Sequence, residues 1–316
     1  IEMAENLVEK GLDVSLVEAA DQVMITMDMD MVAPVHETLR QNGIKLYLSQ
    51  ALQGVERVGD KVKVILPNTT IEDVDMVILS IGVRPSSQLA KDAKLKLGPR
   101  GHIIVDKLCR TSDENISAIG DVIEYPSPQV EGSNAIALAG PANKMARLCA
   151  DAIVTGKGRE YIGTYGNSIA KVFDLNCGSV GLNEKMLERE GLDYAVAITH
   201  ASHHAGYYPG ALSLTAKILY DKKTGKLFGG QAVGYASVDK KLDVLSSFIS
   251  KDGTIEDLAN FEQAYAPPFN GAKDILNMLG FIALNAFDGL DQIIDYKEAE
   301  KKLKEGAFLL DVRTQD

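Results

Sequence analysis

Residues 74–81, Val-Asp-Met-Val-Ile-Leu-Ser-Ile, constrain the fold more than any other stretch. A near-continuous apolar run of strand length needs cover on both faces, as a strand buried in a parallel sheet between helices has. It ends at Gly82, where the missing Cβ lets a flat ring or a backbone come close. Arg84-Pro85 then enforces an extended exit. The residues before the run agree with this reading. Ile1, Ala4, Leu7 and Val8 recur at helical spacing and Gly11 supplies a C-cap. Residues 13–18 form a short apolar strand closed by an acid, and residues 34–42 read as a helix stopped by Gly43. Residues 45–58 and 61–65 read as strands around a tight Gly59-Asp60 turn. This order predicts a βαβ sheet whose first strand is missing. The chain opens inside a helical pattern and stops just after an apolar run at 308–312, so it reads as a fragment.

The pattern changes twice further on. Residues 86–101 are polar and loop-like, 103–105 and 116–119 read as short strands, and 141–154 as an amphipathic helix. From about Tyr161, residues 168–173, 179–181, 194–199 and 212–220 alternate like antiparallel strands, and the turn at 221–225 leads into Leu227-Phe228. Helices are expected at 238–251, 254–259 and 273–286, and residues 293–316 as a helix and a strand of a further unit.

Several function classes are excluded. A net charge of -11 argues against nucleic-acid binding, which needs a basic face. No apolar run reaches the roughly 18 residues of a membrane span, and no secretory signal is visible. Cys109, Cys149 and Cys177 form neither a CxxC pair nor a ligand cluster, so no disulfide framework is expected and a reducing cytoplasm fits best. His200, His203 and His204 lie close together, but no carboxylate or cysteine accompanies them, and no metal site is expected.

Two acids carry the chemistry that remains. Glu18 closes a strand where a dinucleotide-binding βαβ unit holds an acid for ribose hydroxyls, and its glycine fingerprint would fall just ahead of Ile1. Ala19, Ala20, Asp21 and Gln22 bring no basic residue for a 2′-phosphate, which favours NADH over NADPH. Residues 111–121, Thr-Ser-Asp-Glu-Asn-Ile-Ser-Ala-Ile-Gly-Asp, are more specific. There a strand is expected to deliver Gly120 and Asp121 at its carboxyl end, where open α/β sheets bind ligands.

Residues 80–85, 111–121, 137–147 and 264–274, in that order, resemble the pyridine nucleotide-disulfide oxidoreductase superfamily, in the subgroup of coenzyme A-disulfide reductases, NADH oxidases and NADH peroxidases. The resemblance implies an α/β fold in parts: a Rossmann-like NAD-binding domain over 1–85 without its first strand and Gly-rich loop, the carboxy-terminal part of an FAD-binding domain over 86–158, an α+β dimerisation domain over 159–290, and a truncated rhodanese-like domain over 291–316. It implies that Glu18 and Gly82 flank NAD, and that Asp121, with Gly120 beside it, binds the FAD ribityl chain. Leu138 and Ala139 would approach the flavin, with the helix starting near Ala142 aimed at it. Residues 205–210, Ala-Gly-Tyr-Tyr-Pro-Gly, and the Tyr-Ala-Pro-Pro at 265–268 resemble loops that place tyrosines at the partner subunit's active site, which makes Tyr207 and Tyr265 the expected catalytic residues. The implied activity is reduction of coenzyme A disulfide or persulfide by a homodimer, through a redox cysteine in the missing amino-terminal part. An NADH oxidase delivering electrons to oxygen and a non-catalytic dimerisation module are the alternatives.

Overall fold

In the computed structural model, which describes residues 1–312, the apolar spacing from Ile1 becomes helix α1 (Glu2–Glu9). Strand β1 (Ser15–Val17) follows, then α2 (Met29–Gln41) and β2 (Lys45–Tyr47), with β1 and β2 paired in parallel. Helix α2 starts five residues ahead of the expected Pro34. Met31, Val32, Val35 and Leu39 are buried along one face, and this outweighs the amide that Pro34 cannot donate. The strand expected over 45–58 is divided. Its second half is β3 (Gly54–Val58), which turns through Gly59 (φ +63°) into β4 (Lys61–Ile65) and β5 (Thr70–Val74), an antiparallel meander of its own.

The apolar run after Val74 forms no strand. Residues 75–87 lie outside regular structure, with Met76 72%, Ile81 86% and Val83 87% exposed. A strand exists only where a neighbour completes its ladder, and among the described residues β1 and β2 pair only with each other. The 86–101 stretch, expected as loop, holds a short helix α3 (Gln88–Asp92). Strand β6 (Ile103–Ile104) pairs in parallel with β7 (Ile123–Pro126), which also pairs with β8 (Ser133–Asn134). The strand expected over 116–119 is thus displaced to 123–126. Residues Gly120–Val122 make a 3-10 turn that enters β7 instead of closing a strand. Helix α4 (Ala139–Thr155) buries Met145 and Cys149 against Cys109, Ile123 and Tyr125.

The second half is one antiparallel sheet of β9 (Ser168–Val172), β10 (Leu175–Gly181), β11 (Tyr194–Ser202), β12 (Ser213–Asp221) and β13 (Leu227–Gly234), in the order β11-β12-β13-β10-β9. A short helix α5 (Glu184–Arg189) joins β10 to β11. Helices α6 (Val238–Ile249), α7 (Ile255–Asn260) and α8 (Ile275–Phe287) cover one face, packing Leu242, Leu245, Leu276 and Leu279 on Leu214, Ala216, Ile218 and Tyr220. The opposite face, with Val172, Cys177 and Val233, packs on Met27, Met31 and Val35 from α2 and its approach. The sheet therefore sits between its own helices and the amino-terminal unit.

One polar cluster crosses that second contact. Alternation along β12 turns Lys217 away from α6–α8. Its ammonium, fully buried, meets Asp28 at 3.1 Å, Asp30 at 2.8 Å and the carboxylate of Glu184. Gln231 donates to Asp28 Oδ2 at 2.6 Å and accepts from the Asp28 amide at 2.8 Å. Burial pushes the Asp28 carboxyl up from its ordinary value, with Lys217 opposing that shift. These three carboxylates lie close enough to hold a metal ion, but the Lys217 ammonium is bonded to all of them.

Helix α9 (Tyr296–Lys304) is the last regular element among the described residues, and none of residues 291–312 is buried. Among the described residues no strand forms at 308–312, and Phe308 and Val312 are each 86% exposed. Arg313 and Thr314 of the expected rhodanese-like motif lie outside the described residues.

Candidate functional site

The expected site residues fall in three places. Glu18 immediately follows β1, its amide bonded to Tyr47 O at 2.9 Å, and its carboxylate accepts the Ala20 amide at 2.9 Å. This orients the acid at the carboxyl end of a parallel strand. Gly82 sits at φ +96° with open space where a Cβ would stand, but in the irregular 75–87 segment and not at a strand end.

Val83 and Arg84, next to Gly82, line a cavity of about 350 Å³ together with Arg100, His102, Asp121 and Ala137. Gly120 (φ +78°) makes the turn that aims Asp121 there, and its Cβ position is 3.9 Å from Ala142 on α4. Helix α4 begins at Ala139 with Leu138 as N-cap, no side-chain cap bond and no acid in its first turn. Its unclaimed amides and macrodipole therefore favour a negative group. His102 Nδ1 is buried without a hydrogen-bond partner. Two arginines beside one carboxylate suit a ligand that is anionic yet carries hydroxyls, as a flavin dinucleotide is. The volume lies within the range of ligand pockets, about 300–1,000 Å³, and takes part of such a molecule. Arg100 and His102 carried no signal in the sequence, where each is a single polar residue in a loop.

Tyr207 and Tyr265 form the third place. Their hydroxyls are 3.4 Å apart although the residues lie on different loops, and both rings are exposed. Hydrogen bonding to Tyr265 raises the Tyr207 phenol above its ordinary pKa, so it keeps its proton. The 203–212 loop is closed at its base by His203, whose amide donates to Leu212 O at 2.9 Å while Nδ1 accepts from the Leu212 amide at 3.0 Å. His204 is buried and its ring meets Tyr208 edge-on at 5.6 Å. Burial first, and then the neighbouring His204, lowers the His203 pKa and keeps that ring neutral. The Ala205 amide donates to Pro267 O at 3.3 Å, joining the two tyrosine loops. None of the residues lining the Asp121 cavity belongs to either loop.

The cysteines are all free and buried. Burial pushes Cys109 and Cys177 to about 11, which leaves both thiols unreactive near neutrality. Cys177 lies 3.4 Å from Met24 Sδ in the core under the sheet.

Residues 1–146 match the family model described as pyridine nucleotide-disulphide oxidoreductase, and residues 168–274 match that of its dimerisation domain. The coenzyme A disulfide reductase of Staphylococcus aureus is 32% identical over 283 residues, which is 90% of this chain and 63% of that protein. The crystal structure of reduced Bacillus anthracis CoADR-RHD superposes with a TM-score of 0.92 at 42% identity, covering 96% of this chain and 54% of that one. An NAD-dependent persulfide reductase from A. fulgidus gives 0.90 at 34%, covering 94% and 55%. The chain thus spans less than two thirds of the length of each.

Proposed function

Since this chain belongs to the pyridine nucleotide-disulphide oxidoreductase family, we propose that it is the larger part of an FAD- and NADH-dependent reductase of coenzyme A disulfide or coenzyme A persulfide. Bound FAD would supply the chemistry of taking hydride from NADH and passing electrons to sulfur. In this reading Asp121 accepts hydrogen bonds from the ribityl hydroxyls, Gly120 keeps the turn open beside them, and Arg84 and Arg100 face the anionic part of the cofactor. Leu138 and Ala139 bring the amino terminus of α4 to the flavin, and Ala142 packs behind it. Glu18 accepts from the ribose of the nicotinamide cofactor, with Gly82 beside it. Residues 19–22 include no Arg or Lys for a 2′-phosphate, which supports NADH, and the cation nearby, Lys185, is held by Asp21 at 3.1 Å and Gln22 Oε1 at 3.2 Å.

The observation that carries the choice of a sulfur acceptor is the Tyr207–Tyr265 pair. Two phenols 3.4 Å apart on an exposed surface can donate hydrogen bonds to a departing thiolate and supply its proton. Residues 159–290 then form the dimerisation domain, and a second copy brings the pair to the cofactor site of its partner. The exposed rings of Tyr208 and Phe269 beside the pair support such an interface. Buried Cys109, Cys149 and Cys177 do not serve as the redox thiol, so that thiol comes from outside residues 1–316. In the same reading residues 291–316 belong to a rhodanese-like sulfur-transfer unit, as the sequence resemblance at 306–314 suggests. No described helix is long and apolar enough to cross a membrane, and a cytoplasmic enzyme fits the three free thiols.

The test is NADH consumption by the flavin-loaded protein that contains this chain, supplied with coenzyme A disulfide, coenzyme A persulfide or oxygen alone. Turnover with either sulfur acceptor, slowed in Tyr207→Phe and Tyr265→Phe, is expected. Turnover with oxygen only would overturn the assignment, and failure to bind any flavin would reduce the chain to a dimerisation module.

A further inference from the structure

Beneath the tyrosine loops lies a second buried charge that the proposed chemistry does not use. Lys241 on α6 is 2% exposed, Asp274 4% and Asn270 fully buried. The Lys241 ammonium pairs with the Asp274 carboxylate and donates to Asn270 Oδ1 at 3.2 Å. Asn270 Nδ2 in turn donates to Ala264 O at 2.7 Å, the carbonyl of the peptide that leads into Tyr265. The Asn270 and Phe269 amides both return to Ala266 O, at 3.3 and 2.9 Å, so residues 264–270 form a closed loop. That loop also receives the Ala205 amide at Pro267 O, and Ala205 stands two residues before Tyr207. On the other side Asp274 is fixed as the N-cap of α8, accepting from the Leu276 amide at 2.9 Å.

We propose that Lys241, acting through Asn270, is the positioning residue that holds Tyr265 and Tyr207 in hydrogen-bonding register. The proposal rests on the reading of the tyrosines given above and adds to it the group that sets their geometry. A buried ammonium is costly to place, and a nonpolar side chain would fill the site under α6 more cheaply. What an apolar residue cannot do is fix the side-chain amide oxygen of Asn270, and hence the course of the 264–270 loop between α7 and α8. With Tyr265 set, the Pro267–Ala205 bond sets Tyr207. Neither tyrosine has to be ordered by the acceptor when it arrives, and a displacement of about 1 Å at such a group costs on the order of a hundredfold in rate.

The experiment separates the two half-reactions in the flavin-loaded protein containing this chain. Asn270→Ala leaves the Lys241–Asp274 pair and removes the side-chain amide that joins Lys241 to Ala264 O. Lys241→Met removes the charge, and a variant that fails to fold is replaced in the comparison by Asn270→Ala alone. Flavin reduction by NADH should be unchanged, while reoxidation by coenzyme A disulfide should slow by about tenfold to a hundredfold, as it does in Tyr265→Phe. A readout independent of turnover is photo-oxidative dityrosine coupling, mapped by mass spectrometry. The Tyr207–Tyr265 crosslinked peptide should form in the parent and fall severalfold in Asn270→Ala. Unchanged reoxidation and unchanged crosslinking in Asn270→Ala would overturn the proposal, as would equal slowing of both half-reactions. If Tyr207→Phe and Tyr265→Phe themselves reoxidise at the parent rate, the underlying role of the tyrosines fails instead.

Discussion

Replacing Lys217 by Met should unlatch the amino-terminal unit from the antiparallel sheet. The side chains are similar in length, so the variant removes the charge with little change in packing. What remains is a set of carboxylates, Asp28, Asp30 and Glu184, facing one another without a cation. At an effective dielectric of about 20 a pair near 4 Å is worth about 4 kcal/mol of gross attraction, much of it offset by the desolvation of the ammonium. Breaking a buried pair by removing one partner costs about 3–5 kcal/mol net. Asp30 and Glu184 are 26% and 25% exposed, so water relieves part of the strain and the lower end, about 3 kcal/mol, is expected. In urea this corresponds to a midpoint lowered by roughly 1–3 M, for a slope of about 1–3 kcal/mol per M. The pH dependence has a definite sign. Asp28 is already raised in the folded protein, so its contribution is full below its ordinary value and is lost as pH rises through the folded value. Loss of the ammonium raises it further, and the variant should regain stability on acidification from neutrality more steeply than the parent. Lys217 is raised as well; its contribution is full below the ordinary lysine value and disappears as pH rises through the folded one. The gap between parent and variant should be widest from neutral to mildly alkaline pH and close at both ends. A variant with an unchanged urea midpoint at pH 7, or a penalty that does not shrink in mild acid, would refute the reasoning.

Three further outcomes are expected. Asp121→Ala in the flavin-loaded protein should lower flavin affinity by about tenfold to a hundredfold, the loss of a charge-assisted hydrogen bond worth about 1.5–3 kcal/mol, read from flavin absorbance after dialysis. Gly280→Ala should destabilise the chain by about 1–3 kcal/mol in urea titrations, because its Cβ would stand 2.4 Å from the Ala259 amide nitrogen where α8 crosses α7; a neutral result would mean the helices separate freely. The folded chain should react with a thiol reagent at pH 8 far more slowly than the urea-unfolded chain, since burial holds Cys109 and Cys177 near 11.

Much of the second half was legible because its signals are local. Alternation at 168–173, 179–181, 194–199 and 212–220 marked four antiparallel strands and the 221–225 turn led into the fifth, and the helices expected from 238, 254 and 273 stand within two residues of where they were placed. Thr254 and Asp274 both form capping boxes. Glu18 and the Gly120-Asp121 turn were identifiable as acids beside apolar runs. The strand expected over 45–58 held at its two ends, β2 and β3, whereas those at 74–81 and 116–119 failed for a shared reason: an apolar pattern states what a strand requires and not which neighbour it has. The basic lining of the Asp121 cavity was invisible, because Arg84, Arg100 and His102 meet only through folding.

By itself the sequence determined most of the alternating segments of the second half, the longer helices and the acids that stand beside apolar runs. Those properties depend on neighbours a few residues away. Only the tertiary structure decided that Lys217 and Lys241 are buried among carboxylates and amides. The partners of Lys217 come from residues 28, 30 and 184, and those of Lys241 from 270 and 274. It likewise decided that residues 75–87 form no strand and that Tyr207 and Tyr265 meet. The physical reason is the same throughout: pairing, burial and charge compensation are relations between distant segments, and no periodicity along the chain encodes them.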